Sequence, residues 1–109
     1  MHKLLVLYPH PADPEHFETY YRAKHLPLAS RIPGVMAARY SLQVTSETGQ
    51  SPYFAVFEAD FVDAQSMQAA MASEWGLRVV ADVPNYASSG AVVLDFAVEP
   101  LALEEQPDE

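Results

Sequence analysis

Leu4-Leu5-Val6-Leu7-Tyr8 is an unbroken apolar run closed by Pro9-His10-Pro11, the pattern of a strand covered on both faces and therefore central in its sheet. Asp13-Pro14 then supplies an N-cap and a proline at the first helical position. Phe17, Tyr20, Tyr21, Lys24 and Leu28 recur at spacings of three and four, which gives one aromatic face. Pro27 disfavours helical geometry at Leu26, so the helix is predicted to stop near His25, with a turn at Pro33-Gly34. From 35 to 45 the period becomes two, with Tyr40, Leu42 and Val44 opposite Arg39, Ser41 and Gln43. A polar turn over 46–52 leads into a second alternating run, Tyr53, Ala55, Phe57, Ala59 and Phe61 against Phe54, Val56, Glu58 and Asp60, which predicts a hairpin. Asp63 is the next N-cap, before an Ala-rich helix over 64–72. Ser73-Glu74 and Gly76 interrupt that helix, a short continuation covers 77–83, and Pro84-Asn85 closes it. A last strand over 91–98 alternates Val92, Leu94, Phe96 and Val98 with Val93, Asp95 and Ala97, and Pro100 prevents its extension.

The order β-α-β-β-α-β predicts an α+β, ferredoxin-like domain: a four-stranded antiparallel sheet with both helices on one face. Residues 1–98 form that domain and 99–109 an acidic tail. One helical layer covers one sheet face, yet the strands carry apolar residues in both phases: Leu4 and Leu5, Phe54 and Phe57, Val92 and Val93. The second face is therefore expected to pack against a copy of itself in a homodimer. Arg39, Gln43, Glu58 and Asp95 would line or rim the space between the sheets.

Composition narrows the chemistry. The chain has 109 residues, 50% of them hydrophobic, and no Cys, so disulfides, thiol nucleophiles and thiolate metal sites are excluded. Its 6 Lys+Arg face 15 Asp+Glu. Five of those acids, Glu99, Glu104, Glu105, Asp108 and Glu109, fall in the tail. The bases form no run or stripe, and an acidic surface repels phosphate backbones, so nucleic acid is not an expected partner. No apolar run approaches the ~20 residues that span a bilayer, and 4–8 is too short for a signal-peptide core, so no membrane partner and a cytoplasmic location are expected. Dinucleotide, P-loop, zinc-hydrolase and α/β-hydrolase motifs are absent. The four His show no paired spacing, so no metal and no cofactor are expected.

His25 is the leading candidate for chemistry. Tyr21 lies four residues before it, on the same helical face, and Tyr20 five before. A His there suits a general acid/base with tyrosine hydroxyls orienting a ligand oxygen; it also suits a cap on the helix C-terminus. His10, between two prolines, reads as a turn residue or a further ligand. Tyr8, Tyr20, Tyr21, Tyr40, Tyr53 and Tyr86 are either core packing or phenols converging on a pocket for a mostly aromatic ligand with a few oxygens. Asp82 is a carboxylate base or a brace for the loop before Tyr86.

Tyr8-Pro9, Asp13, Phe17, Tyr20-Tyr21, His25-Leu26-Pro27-Leu28, Pro33-Gly34 and Ala81-Asp82-Val83-Pro84-Asn85-Tyr86 resemble the pattern of EthD-type proteins of the dimeric α/β-barrel superfamily, over about residues 3–98. The resemblance implies a ferredoxin-like protomer pairing sheet to sheet. It places His25, Tyr8, Tyr20 and Tyr21, with Asp82 and Asn85, on matching positions. The wider superfamily includes cofactor-free monooxygenases, polyketide cyclases, isomerases and haem-using enzymes, and fold alone does not choose among them. Two functions are therefore carried forward. One is cofactor-free proton transfer on a small aromatic or lactone-like substrate, with His25 moving the proton, Tyr21 or Tyr8 donating to an oxyanion, and Tyr20, Tyr86, Asp82 and Asn85 binding the ligand. The other is a noncatalytic small-molecule binding or accessory protein of a degradation pathway. Haem ligation by His25 or His10 ranks behind both.

Overall fold

The computed structural model describes residues 1–105. Strand β1 (His2–Pro9) is central, paired antiparallel to β5 (Tyr53–Phe61) on one side and β6 (Val92–Ala97) on the other. Strand β2 (Ala37–Ser41) completes the sheet, in the order β2-β5-β1-β6. Between β2 and β5 a small arm forms from β3 (Thr45–Ser46) and β4 (Gly49–Gln50). The strand expected to run to 45 thus ends at Ser41, residues 42–44 are irregular, and Thr45 enters the arm. The architecture is the α+β, ferredoxin-like one that the pattern of the chain predicts.

All helices pack on one sheet face. Helix α1 (Pro14–Tyr20) is capped by the Asp13 carboxylate, which accepts from the His16 N–H at 3.0 Å. It runs without a break into a π-turn (Tyr21–His25) and then α2 (Leu26–Ala29). The predicted stop near His25 is therefore corrected. The Leu26 N–H reaches back to the Tyr21 carbonyl, and Pro27 falls in the first turn of α2, where its missing N–H costs little. Lys24, placed on the aromatic face by simple spacing, is exposed, and His25 is buried instead.

Helix α3 (Ala64–Ala72) starts at the Asp63 cap and ends at Ser73, whose extended backbone and hydroxyl cap on the Gly76 N–H begin α4 (Glu74–Asp82). The interruption is thus one residue wide. Gly76 lies inside α4 rather than breaking it: a Cβ there would sit 2.3 Å from the Ala70 carbonyl, so the close approach of α4 to α3 demands glycine. A 3-10 turn (Val83–Asn85) delivers Tyr86 back to the core.

Two groups of buried residues fill the space between helices and sheet. One gathers around Leu4, Phe61 and Met67, the other around Tyr8, Phe17 and Tyr21. Leu4, Val6 and Tyr8 of β1 face the helices, so Lys3, Leu5 and Leu7 face the other way. Register places Val56, Glu58 and Asp60 of β5, Arg39 of β2, and Val92, Leu94 and Phe96 of β6 on that open face with them. It divides into an apolar side and a charged side. On the charged side Arg39 donates to Glu58 at 2.5 Å and to Asp60 at 2.8 Å, with Lys3 3.3 Å from Glu58.

Three residues expected on the open face are elsewhere. A register shift between Tyr8 and Pro9 turns Phe54 toward Phe17, with ring centroids 5.0 Å apart. Asp95 shares the phase of His2 and pairs with it at 2.7 Å, away from Arg39. Gln43 lies past the end of β2. Residues 98–105 have no regular structure, and the last part of the predicted tail, 106–109, lies outside the described residues. Among the described residues no helix is long and apolar enough to cross a membrane.

Candidate active site

The π-turn sets the geometry of the site. Its widened turn brings residues four apart close to eclipsing, and the Tyr21 and His25 rings stack 5.4 Å apart at 15°. The other side of His25 meets Tyr86, delivered by the 3-10 turn, at 4.5 Å. Held between two aromatic rings and 4% exposed, the imidazole has one orientation.

Asp82, the last residue of α4, closes the arrangement. Its Oδ2 lies 3.0 Å from His25 Nδ1; its Oδ1 accepts from the Tyr20 hydroxyl at 2.7 Å and from Asn85 Nδ2 at 3.0 Å. The Asn85 amide also lies 3.4 Å from the Tyr20 hydroxyl, and the Asn85 carbonyl bonds to His16 Nε2 at 2.9 Å. Burial pushes the Asp82 carboxyl up, but the hydrogen bonds from Tyr20, Asn85 and His25 outweigh it and hold the group below the usual range. Asp82 is thus ionised at neutral pH. An ionised carboxylate only accepts, so Nδ1 of His25 carries the proton. For His25 burial wins over the pull of Asp82 and lowers its pKa. The neutral imidazole therefore keeps a free lone pair on Nε2, which no described residue engages.

That residue lines a chamber of about 80 Å³ whose walls are otherwise almost wholly apolar, among them Leu4, Val6, Phe57 and Val79. Tyr8 lines it too, and its hydroxyl lies 2.7 Å from that of Tyr86. Burial raises the pKa of Tyr8, Tyr21 and Tyr86 alike, so all three stay protonated. The hydrogen bond to Asp82 does the same for Tyr20. With Tyr86 donating to Tyr8, the Tyr8 proton is free for a group in the chamber. Among the described residues the buried Tyr21 hydroxyl has no hydrogen-bond partner, and Tyr21 is not among the chamber walls.

The structure brings His25, Tyr8, Tyr20, Tyr21, Asp82, Asn85 and Tyr86 into one connected cluster, drawn from β1, the long helix and the end of α4. His10 is outside it, bonded to the Ser51 carbonyl at 2.7 Å, where it fastens the loop before β5. Among the described residues no group of three or more His, Asp or Glu is arranged to hold a metal. Spacing missed His16 as a support for Asn85, because a helix N-terminal His and an Asn 69 positions away share no pattern. Phe57 as a chamber wall was visible only as one apolar position in an alternating strand.

A profile of the EthD domain matches residues 9–90. The chain belongs to the EthD family. This EthD chain is 35% identical over 96 residues to an uncharacterised 11.0 kDa protein of the thcB-thcC intergenic region of Rhodococcus erythropolis, which covers 86% of this chain and 91% of that protein. It superposes with TM-score 0.85 and 28% identity on the crystal structure of an EthD family protein from Bacillus halodurans, over 91% of this chain and 99% of the other. A dimeric ferredoxin-like protein of unknown function from Thermobifida fusca matches with TM-score 0.67 and 16% identity over 89% and 90% of the two chains. SnoaB, a cofactor-independent oxygenase from Streptomyces nogalater, matches with TM-score 0.61 and 16% identity over 94% and 96%. At these identities the last two show the EthD chain's fold alone.

Proposed function

We propose that this protein processes a small, mostly apolar molecule by cofactor-free proton transfer, with the His25–Asp82 pair as general base. The carrying observation is the 3.0 Å contact of His25 Nδ1 with an ionised, triply bonded carboxylate, while the same ring lines an apolar chamber. In the reaction, Nε2 takes a proton from a C–H beside a substrate carbonyl, and the bonding electrons move through the new C=C bond onto the carbonyl oxygen. Asp82 stabilises the imidazolium that forms, and Tyr8 donates to the new oxyanion. Returning the proton to another carbon of the enolate completes an isomerisation; attack of the enolate carbon on a second carbonyl of the same molecule, whose oxygen then takes the proton, completes a cyclisation, and either course restores neutral His25. Positioned bases of this kind contribute roughly 10²–10⁴-fold. Donors aimed at the oxyanion act most strongly in apolar surroundings, and the chamber walls are almost wholly apolar. The cofactor-independent oxygenase SnoaB offers a fold-level precedent for chemistry without a bound group.

The working unit in this reading is a homodimer formed by residues 1–98, with 99–109 as a separate acidic tail. Val92, Leu94 and Phe96 are 38–47% exposed on one side of the open face of the lone protomer, where a second copy would cover them. The dimeric relative from Thermobifida fusca supports this.

The test is C–H exchange in D₂O over a panel of small ketones, lactones and hydroxyaromatics, followed by proton NMR. His25-dependent exchange, reduced about 10²-fold or more in His25→Gln, is expected. Ligands that bind beside His25 without any exchange would instead favour a noncatalytic carrier.

A further inference from the structure

Beside the His25 chamber lies a second, larger cavity: an open cleft of about 320 Å³ between α2 and β2, lined by Leu26, Ser30, Val35, Ala38 and Tyr40 among others. The cleft and the chamber share walls, namely Ala29, Ile32 and Phe57. Ala29 is fixed in helix α2 and Ile32 is buried in the turn after it. Phe57 differs from both. It projects from the middle of β5, between Val6 of β1 and Tyr40 of β2, and packs against the edges of both core groups without being fully buried in either. Its side chain stands between the two spaces, and rotation about its side-chain bonds leaves the sheet in place.

The sizes make that path matter. A cavity of about 150 Å³ takes a benzene molecule. The chamber, at about 80 Å³, is too small for a ring and takes only a short aliphatic or acyl group. Ligand sites commonly run from ~300 Å³ upward, and the cleft reaches that size but does not include His25 among its walls. A substrate that reacts at His25 and keeps a ring off the solvent-facing walls at Val80 and Val93 therefore occupies both spaces.

We propose that Phe57 is the movable partition of a two-part binding site, and that the substrate is an elongated molecule with a compact end and a bulkier body. The compact end carries the acidic C–H into the chamber; the body, a ring or equivalent apolar group, lies in the cleft. Ser30, Arg39 and Tyr40 give the cleft polar handles for an oxygen on that body, whereas the chamber offers only His25 and Tyr8. This deepens the reading of His25 as base and rests on it. It makes Phe57 a specificity-determining residue.

The experiment is an NMR titration of the full-length protein with 4-phenylbutan-2-one, a ring joined to a short ketone, and with butan-2-one as the short probe. In the wild-type protein the long probe is expected to shift the resonances of the His25 and Tyr40 rings together. Phe57→Leu widens the passage and tightens its binding about tenfold, and Phe57→Trp weakens it at least tenfold, changes of the size that pocket fit commonly gives. Butan-2-one shifts His25 in all three proteins and so shows that the chamber remains folded. Unchanged affinity of the long probe in both variants overturns the proposal. So do shifts confined to Val80 and Val93, the exposed chamber walls on α4 and β6. Because binding is read without turnover, failure of His25 to exchange protons would sink the base while leaving the partition standing, and failure here would do the reverse.

Discussion

Replacing Asp82 by Asn keeps the shape of the side chain and removes its charge. In the native protein this carboxylate, 8% exposed, accepts from Tyr20, Asn85 and His25 at 2.7, 3.0 and 3.0 Å. An Asn carbonyl still accepts from Tyr20, but as a neutral bond it is roughly half as strong as the charge-assisted one. The amide NH₂, in the place of Oδ2, then confronts His25 Nδ1–H, donor against donor. Hydrogen bonds to charged groups are worth about 1.5–3 kcal/mol each, so the net loss is about 2–3 kcal/mol. For a domain of this size that lowers Tm by roughly 10 °C or more. His25 can recover a bond only by accepting at Nδ1, which moves its proton to Nε2 and removes the base. Urea unfolding at pH 7 measures the stability change, and the D₂O exchange assay the base. The pH dependence adds a check. The folded-state pKa of Asp82 is depressed, so its stabilisation is present above the ordinary carboxylate pKa and is lost as pH falls through the lowered folded value. The Asp82→Asn variant lacks that acid-side component. A variant as stable as the native protein at pH 7, with exchange retained, would refute the reasoning.

The His25→Gln variant should remove a slope of stability with pH. The folded pKa of His25 lies below its ordinary value, so the unfolded chain takes up a proton first and stability falls as pH drops below about 6.5, down to the lowered folded value; denaturation midpoints at pH 5 and 8 compare the two proteins. Phe17→Ala empties a fully buried ring site packed edge-on to Tyr8, Phe54 and Tyr86, and calorimetry should show a loss of about 3–5 kcal/mol. Gly76→Ala drives a Cβ into the Ala70 and Met71 carbonyls, and separation of α4 from α3 should destabilise the fold by at least about 2 kcal/mol in the same assay. Leu94→Asp places a charge in the apolar side of the open sheet face, and light scattering should show a protomer of 12.1 kDa where the proposed native homodimer has twice that mass.

Hydrophobic patterning carried most of the fold, because the unbroken run of β1 and the alternations of β5 and β6 are set by burial and match the observed faces. It failed where the backbone departs from a regular repeat. The register shift at Tyr8 and Pro9 moves Phe54 into the core against its apparent phase. The π-turn puts His25, rather than Lys24, in line with Phe17 and Tyr21, and no 3.6-residue period predicts it. A proline following a strong helical pattern was the available signal, read as a stop when it marked a change of turn. The candidate site was legible as residue types: His25, the tyrosines and Asp82 were each visible. Their connection was not, because Tyr20 and His25 meet Asp82 across 62 and 57 positions of chain, a distance that spacing cannot bridge. The cavities and the role of Phe57 depend on packing between elements and have no counterpart in a linear pattern.

The central claim is that His25 is a neutral imidazole with its proton on Nδ1, held by Asp82, and its Nε2 lone pair open to the chamber. Nitrogen-15 NMR of the imidazole, followed from pH 4 to 8, measures this directly. The account predicts an Nδ1-protonated ring at pH 7 that titrates below the ordinary histidine value. A ring protonated on Nε2, or one that is still cationic at pH 7, would contradict it.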